Sequence, residues 1–132
     1  METIVLNENW RYRLVDRADV GDYNARSIRV DDWETISLRN LVSVGINAGT
    51  SVWLRRTFVM PPNEQCASWW IEAESGFQGE VWVNGQPVGQ LSAVPLEVTQ
   101  AVAMGENVIT MRIDSLPRQA PASLACVPYP CE

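Results

Sequence analysis

Neither histidine nor lysine occurs among the 132 residues, and each absence removes a class of chemistry. Without histidine there is no Ser-His-Asp or Cys-His nucleophile pair, no imidazole acid or base and no imidazole metal ligand. Without lysine there is no Schiff base. All ten basic residues are arginines, set against sixteen acids for a formal net charge of -6. The arginines are dispersed among the acids rather than clustered, so nucleic acid is not an expected partner. No run approaches the ~18 to 20 consecutive apolar residues of a membrane helix, so a membrane is not expected either. The opening residues METIVLNENW carry neither a basic leader nor a long apolar stretch, and the expectation is a soluble, cytoplasmic protein. What remains for catalysis is carboxylates, tyrosines, arginines and three thiols. A carboxylate pair needs a deep site to separate its two pKa values, so the isolated chain is expected to be no enzyme and to need no cofactor.

What is present is a core. An apolar fraction of 46% beside 20% charged residues excludes a disordered tail, and the length suits one domain. Short runs rich in Val, Ile, Thr and aromatics recur between turn signals: Trp10 to Val15, Ser27 to Val30, Ser51 to Met60, Ser68 to Ala73, Glu80 to Val83 and Asn107 to Asp114. This spacing predicts a β-sandwich over residues 1–116. Asn84-Gly85 tolerates the positive φ of a two-residue hairpin turn. Leu96 to Met104 has helical leanings, with Gly105 as its C-cap. The Pro-rich end, 117–132, reads as an extended tail on the surface or a strand at a sheet edge.

Strand phase says more than strand existence, because side chains alternate between faces. Ile109, Met111 and Ile113 share one face, and Thr110, Arg112 and Asp114 the other. By the same alternation Trp69, Ile71, Val81 and Val83 belong to the core. Trp70 then falls with Glu72 and Glu74, Trp82 with Glu80 and Asn84, and Trp53 with Arg55 and Thr57. Three tryptophans thus occupy the polar phase of three strands, whereas Trp10 and Trp33 are expected as core anchors at the sandwich ends.

These residues also form an ordered set. It runs from Trp10 through Val30-Asp31-Asp32-Trp33-Glu34-Thr35-Ile36-Ser37-Leu38 and Val52-Trp53-Leu54-Arg55-Arg56-Thr57-Phe58. It continues through Val81-Trp82-Val83-Asn84-Gly85 with Val88-Gly89, and ends on Gly105-Glu106-Asn107-Val108-Ile109. Over about residues 10–115 the set resembles the N-terminal sugar-binding domain of family 2 glycoside hydrolases, the β-galactosidase and β-glucuronidase group. The resemblance implies an all-β, galactose-binding-like jelly-roll sandwich with carbohydrate as the ligand class. The catalytic carboxylates of that family lie in a separate barrel domain, so no catalytic residue carries over. The chain departs from the family in Leu38-Arg39-Asn40 and in the short stretch from Gln90 to Leu96.

The tryptophan phase supplies the candidate site. A sugar's C-H face stacks on an indole while its hydroxyls meet flanking polar groups, so Trp53, Arg55, Trp70, Glu72, Trp82 and Asn84 have the composition of a shallow glycan platform. Two other occupants of that face remain open: the chain's own terminal segments, or a protein partner, including a second copy, since Trp and Arg are enriched at interfaces. Asp16, Asp19 and Asp22 invite a calcium reading, but lack the Gly and distal Glu of a dedicated loop, and no metal site is expected. Three cysteines in a chain without a secretory signal suggest three free thiols. A Cys126–Cys131 bridge is the alternative, requiring the tail to bring the two Cα atoms within about 7 Å.

Overall fold

The structure is a computed structural model, and it describes residues 2–16, 29–44, 50–62, 66–73, 78–92, 94–115 and 123–131. Five of the six expected runs are strands: β2 (Trp10–Asp16), β4 (Thr50–Met60), β5 (Ala67–Ala73), β6 (Gln78–Val83) and β9 (Gly105–Ser115). Of the sixth, residues 27 and 28 lie outside the described residues, and Arg29 and Val30 are not in a strand. Short strands complete the set: β1 (Ile4–Val5), β3 (Glu34–Ile36), β7 (Gln86–Leu91), β8 (Leu96–Glu97) and β10 (Leu124–Pro130). One 3₁₀ segment, Leu38–Val44, follows β3.

The strands form two antiparallel sheets, in the orders β1-β10-β5-β8 and β3-β2-β4-β9-β6-β7. After β4 the chain crosses between them repeatedly, with only the β6–β7 hairpin staying in one sheet, so the strands wrap one core from both sides. Val52, Leu54, Ile109, Met111, Ile113, Val81 and Val83 of the larger sheet meet Trp69, Ile71, Leu124 and Cys126 of the smaller one, all buried. The alternation of the sequence is therefore the alternation of the sandwich. Trp10 closes one end, fully buried, its indole N–H donating to the Leu6 carbonyl at 2.7 Å.

Two turns show how local chemistry fixes register. Asn84 and Gly85 have φ of 53° and 80°, the paired positive values of the tight hairpin joining β6 to β7. Gly79 sits where β6 shifts register against β9, and a Cβ there would lie 1.9 Å from the Arg112 carbonyl oxygen. The obstructing atoms are backbone and cannot swing away. Gly79→Ala should therefore cost about 1 to 3 kcal/mol, measurable as a lowered urea midpoint.

The segment with helical leanings is not a helix. Leu96 and Glu97 pair with Ile71 and Trp70 as β8, and a single turn follows in which the Ala101 and Val102 N–H groups both reach the Val98 carbonyl. Asn107 then holds the chain open: its side chain accepts from the Ala103 N–H and donates to the Ala103 and Gly105 carbonyls. Gly105, at φ 83°, starts β9 instead of capping a helix.

The C-terminal segment, expected as a surface tail or an edge strand, is instead the inner strand β10 between β1 and β5, with Leu124 and Cys126 fully buried. Its prolines fit because backbone donors alternate sides. The Leu124 N–H points away from β5 to Asn7 Oδ1, while that of Cys131 reaches the Cys66 carbonyl beside β5. Pro128 and Pro130 fall in the phase of Leu124, on the side that β1 has already left, so no ladder bond is forfeited.

The cysteines differ from the expectation of three free thiols. Cys66 and Cys131 form a disulfide with Cα atoms 5.4 Å apart, and Cys126 is free and buried. The register explains the pairing: Pro130 lies opposite Ala67, so the next residue on one strand meets the preceding residue on the other. Cys126 could not reach Cys131 because it points into the core. Burial pushes the Cys126 thiol up to about 12, so an ionised thiol is favoured only in the unfolded chain. Its contribution to stability is intact below the ordinary thiol value near 9.0 and falls away between there and about pH 12. A thiol reagent at pH 8 should see no free thiol in the native oxidised protein and one after denaturation.

Candidate functional site

The six residues of the sequence-derived platform do not come together. Trp53, Arg55 and Trp82 lie on the outer face of the larger sheet, as their phase requires, but this face is covered. Trp53 and Trp82 are only 2% and 8% exposed, and pack with Val15, Trp33 and the half-buried Val30 into a second apolar layer. The two indoles stack at 5.5 Å between centroids, 25° between planes. The Arg112 guanidinium lies 5.8 Å from the Trp53 ring centroid and pairs with Glu80 at 2.9 Å and Asp114 at 3.5 Å. Arg55 is 4% exposed, and burial lowers its pKa. Trp33, expected in the core, belongs to this outer layer, where the Arg11 guanidinium donates to its carbonyl at 2.9 Å. The chain thus uses these three tryptophans, Trp33, Trp53 and Trp82, to cover its own sheet.

Asn84 is occupied by the fold. Its side-chain amide donates to the Ala101 carbonyl and to Asn107 Oδ1, and its Oδ1 accepts from the Val108 N–H. It locks the hairpin turn to β9.

Trp70 and Glu72 lie on the opposite side of the molecule, on the outer face of the smaller sheet. The pairing places Glu97 and Val127 opposite Trp70, Ala125 opposite Glu72, Tyr129 opposite Ser68 and Val5 beyond Ala125. Directly paired residues share a face, so one surface carries Val5, Trp70, Val127, Tyr129, Glu72 and Glu97. Solvent reaches it: Tyr129 is 45% exposed and Val5 more so, with Trp70 half-buried. The rings of Trp70 and Tyr129 meet edge to face, 6.5 Å apart at 89°. The Trp70 N–H donates to Ser68 Oγ at 3.0 Å, and the Tyr129 hydroxyl donates to the Glu72 carboxylate. That bond raises the Tyr129 pKa, because the phenolate would lose the donor and face a like charge. Both rings are thereby held in fixed orientations on an open sheet.

Tyr129, Val127 and Glu97 are members that the sequence reading missed. The alternation Leu124, Cys126 inward and Val127, Tyr129 outward is written in the Pro-rich tail, but its prolines suggest a surface tail or an edge strand, not an inner one. Glu97 was hidden by the helical appearance of its segment.

A second feature lies at one end of the sandwich, a cleft of about 720 Å³ lined by Ile4, Met60, Trp69, Thr99, Val102 and Met104 among others. Val59 and Met104 at its rim are two-thirds or more exposed. Among the described residues no cluster of His, Cys, Asp or Glu is arranged to hold a metal ion. Asp19, Asp22 and Glu74 lie outside the described residues, as does the Asp16 side chain.

No family model and no curated protein sequence matches the chain. Solved structures do. A glycosyl hydrolase family 2 member from Bacteroides cellulosilyticus aligns with TM-score 0.75 at 18% identity, covering 98% of this chain and 21% of that one. A calcium-binding mutant of Bacteroides uniformis β-glucuronidase 2 aligns with TM-score 0.76 at 12% identity, over 98% and 18%. A β-glycosidase from Bacteroides vulgatus aligns with TM-score 0.67 at 17% identity, over 97% and 20%. This chain therefore has the all-β sandwich fold found in one domain of these glycosidases, and spans about a fifth of their length.

Proposed function

We propose that a domain with this family 2 glycosidase fold acts as a non-catalytic carbohydrate-recognition module, its binding surface the outer face of the smaller sheet. The observation that carries the reading is the exposed Trp70–Tyr129 pair, two rings fixed at right angles beside two carboxylates. An indole offers its face to the C-H side of a sugar ring, and Glu72 and Glu97 supply acceptors for hydroxyls. Glycan-array binding by the whole domain is the test. Trp70→Ala and Tyr129→Ala should each weaken the best glycan about tenfold or more, a loss of about 1.4 kcal/mol, with little change in melting temperature. Equal binding by the variants would overturn the reading.

A second reading is favoured by the end cleft. Exposed Val59 and Met104 around an apolar opening suit a contact with a neighbouring domain of a larger glycosidase-like assembly. Met104→Glu would then lower the melting temperature of that assembly while leaving the isolated domain and its glycan binding unchanged.

A further inference from the structure

Arginine is divided unequally between the two sheets of the sandwich. The larger sheet carries Arg11, Arg13, Arg55, Arg56 and Arg112 on its strands, whereas β1, β5, β8 and β10 contain no arginine at all. The ionised groups on the strands of the smaller sheet are Glu72 and Glu97. Both flank the same indole: Glu97 is Trp70's cross-strand neighbour on β8, and Glu72 lies two residues along β5 on the same face. Direct cross-strand neighbours have Cβ atoms about 5 Å apart, so the two carboxylates border the aromatic surface on adjacent sides. Each accepts one hydroxyl hydrogen bond, Glu72 from Tyr129 and Glu97 from Thr99 at 3.0 Å. A carboxylate has about four lone-pair sites, so both retain capacity for a donor arriving from solvent.

Resting on the carbohydrate reading above, we propose that this platform selects glycans bearing a free amine, 2-amino-2-deoxy sugars in their ammonium form, and rejects uronic-acid glycans. An ammonium group placed over Trp70 would meet a π-face and two carboxylates at once. A uronate in the same place would meet two like charges with no guanidinium on the sheet to offset them. A neutral sugar keeps the stacking and loses the ion pairs.

Calorimetry of the whole domain with three hexasaccharides at pH 5.5 tests this: β-1,4-linked glucosamine, its fully N-acetylated counterpart and oligogalacturonate. The glucosamine hexamer should bind at least fivefold tighter than the N-acetylated one, weaken with added salt and weaken about fivefold in Glu97→Gln. Oligogalacturonate should not bind. Trp70→Ala should abolish binding of both glucosamine and N-acetylglucosamine hexamers. Equal affinity for the charged and neutral hexamers would overturn the charge selection while leaving the carbohydrate reading standing. Undiminished glucosamine binding in Trp70→Ala would assign it to the net charge of -6 and overturn the proposal. Binding of none of the three would overturn both.

Discussion

Trp53→Ala is expected to lower the free energy of unfolding by about 3 to 5 kcal/mol, the cost of deleting a buried indole whose surroundings cannot collapse. The side chain is 2% exposed and has packing on several sides. Trp82 stacks on it, Val15 and Trp33 belong to the same layer, and Arg112 lies near its ring. Urea unfolding monitored by circular dichroism gives the difference. Trp82→Ala should be similarly costly, and the double variant less than additive by about 0.5 to 1.5 kcal/mol, the coupling of an aromatic pair. Trp70→Ala provides the contrast, because Trp70 is half-buried and meets Tyr129 only edge to face. A loss below about 1 kcal/mol for Trp53→Ala would mean that the outer layer is loosely held and that this face, too, is open to a ligand.

The contrast between these tryptophans also measures what a sequence can say. Alternation correctly put Trp53, Trp70 and Trp82 off the face that packs between the two sheets, because a strand's period of two is a local property. It could not say which sheet each strand joins. β5 crosses to the smaller sheet, so Trp70 is separated from the other two by the whole core. Nor could it say what covers a face. The cover over Trp53 includes Val30 and Trp33, some twenty residues away in sequence, and belongs to tertiary packing. Asn84 was legible as a turn residue and is one, its side chain bonded to Asn107, Ala101 and Val108. Glu72 and Trp70 were legible as a pair on one strand. Their partners Tyr129 and Glu97 come from β10, whose prolines suggest no more than a surface tail or an edge strand, and from β8, whose segment has apparent helical character. Register supplied what propensity withheld.

Cys66→Ser is expected to lower stability by about 4 kcal/mol, and the reason lies in the unfolded chain. The bridge joins residues 65 apart, and in the chain-entropy model a closed loop of that size restricts the denatured ensemble by about 4 kcal/mol. Unfolding in urea with and without a thiol reductant should show the same difference in wild type and none in the variant. Total thiol in denatured protein should rise from one to three on reduction. Both bridge sulfurs belong to exposed residues at the sheet margin, so reductant has access without unfolding. The bridge endures where thiols are not held reduced, and the same thiol count on freshly isolated protein separates an oxidising from a reducing home. The site is also affected. Tyr129 stands two residues before Cys131, on the half of β10 that β1 no longer flanks. Losing the bridge should therefore weaken Tyr129's hold on Trp70 and Glu72, and glycan affinity should fall several-fold in Cys66→Ser under conditions where the variant remains folded. Three titratable thiols in fresh, unreduced protein would remove the bridge and, with it, this link between the covalent tie and the platform.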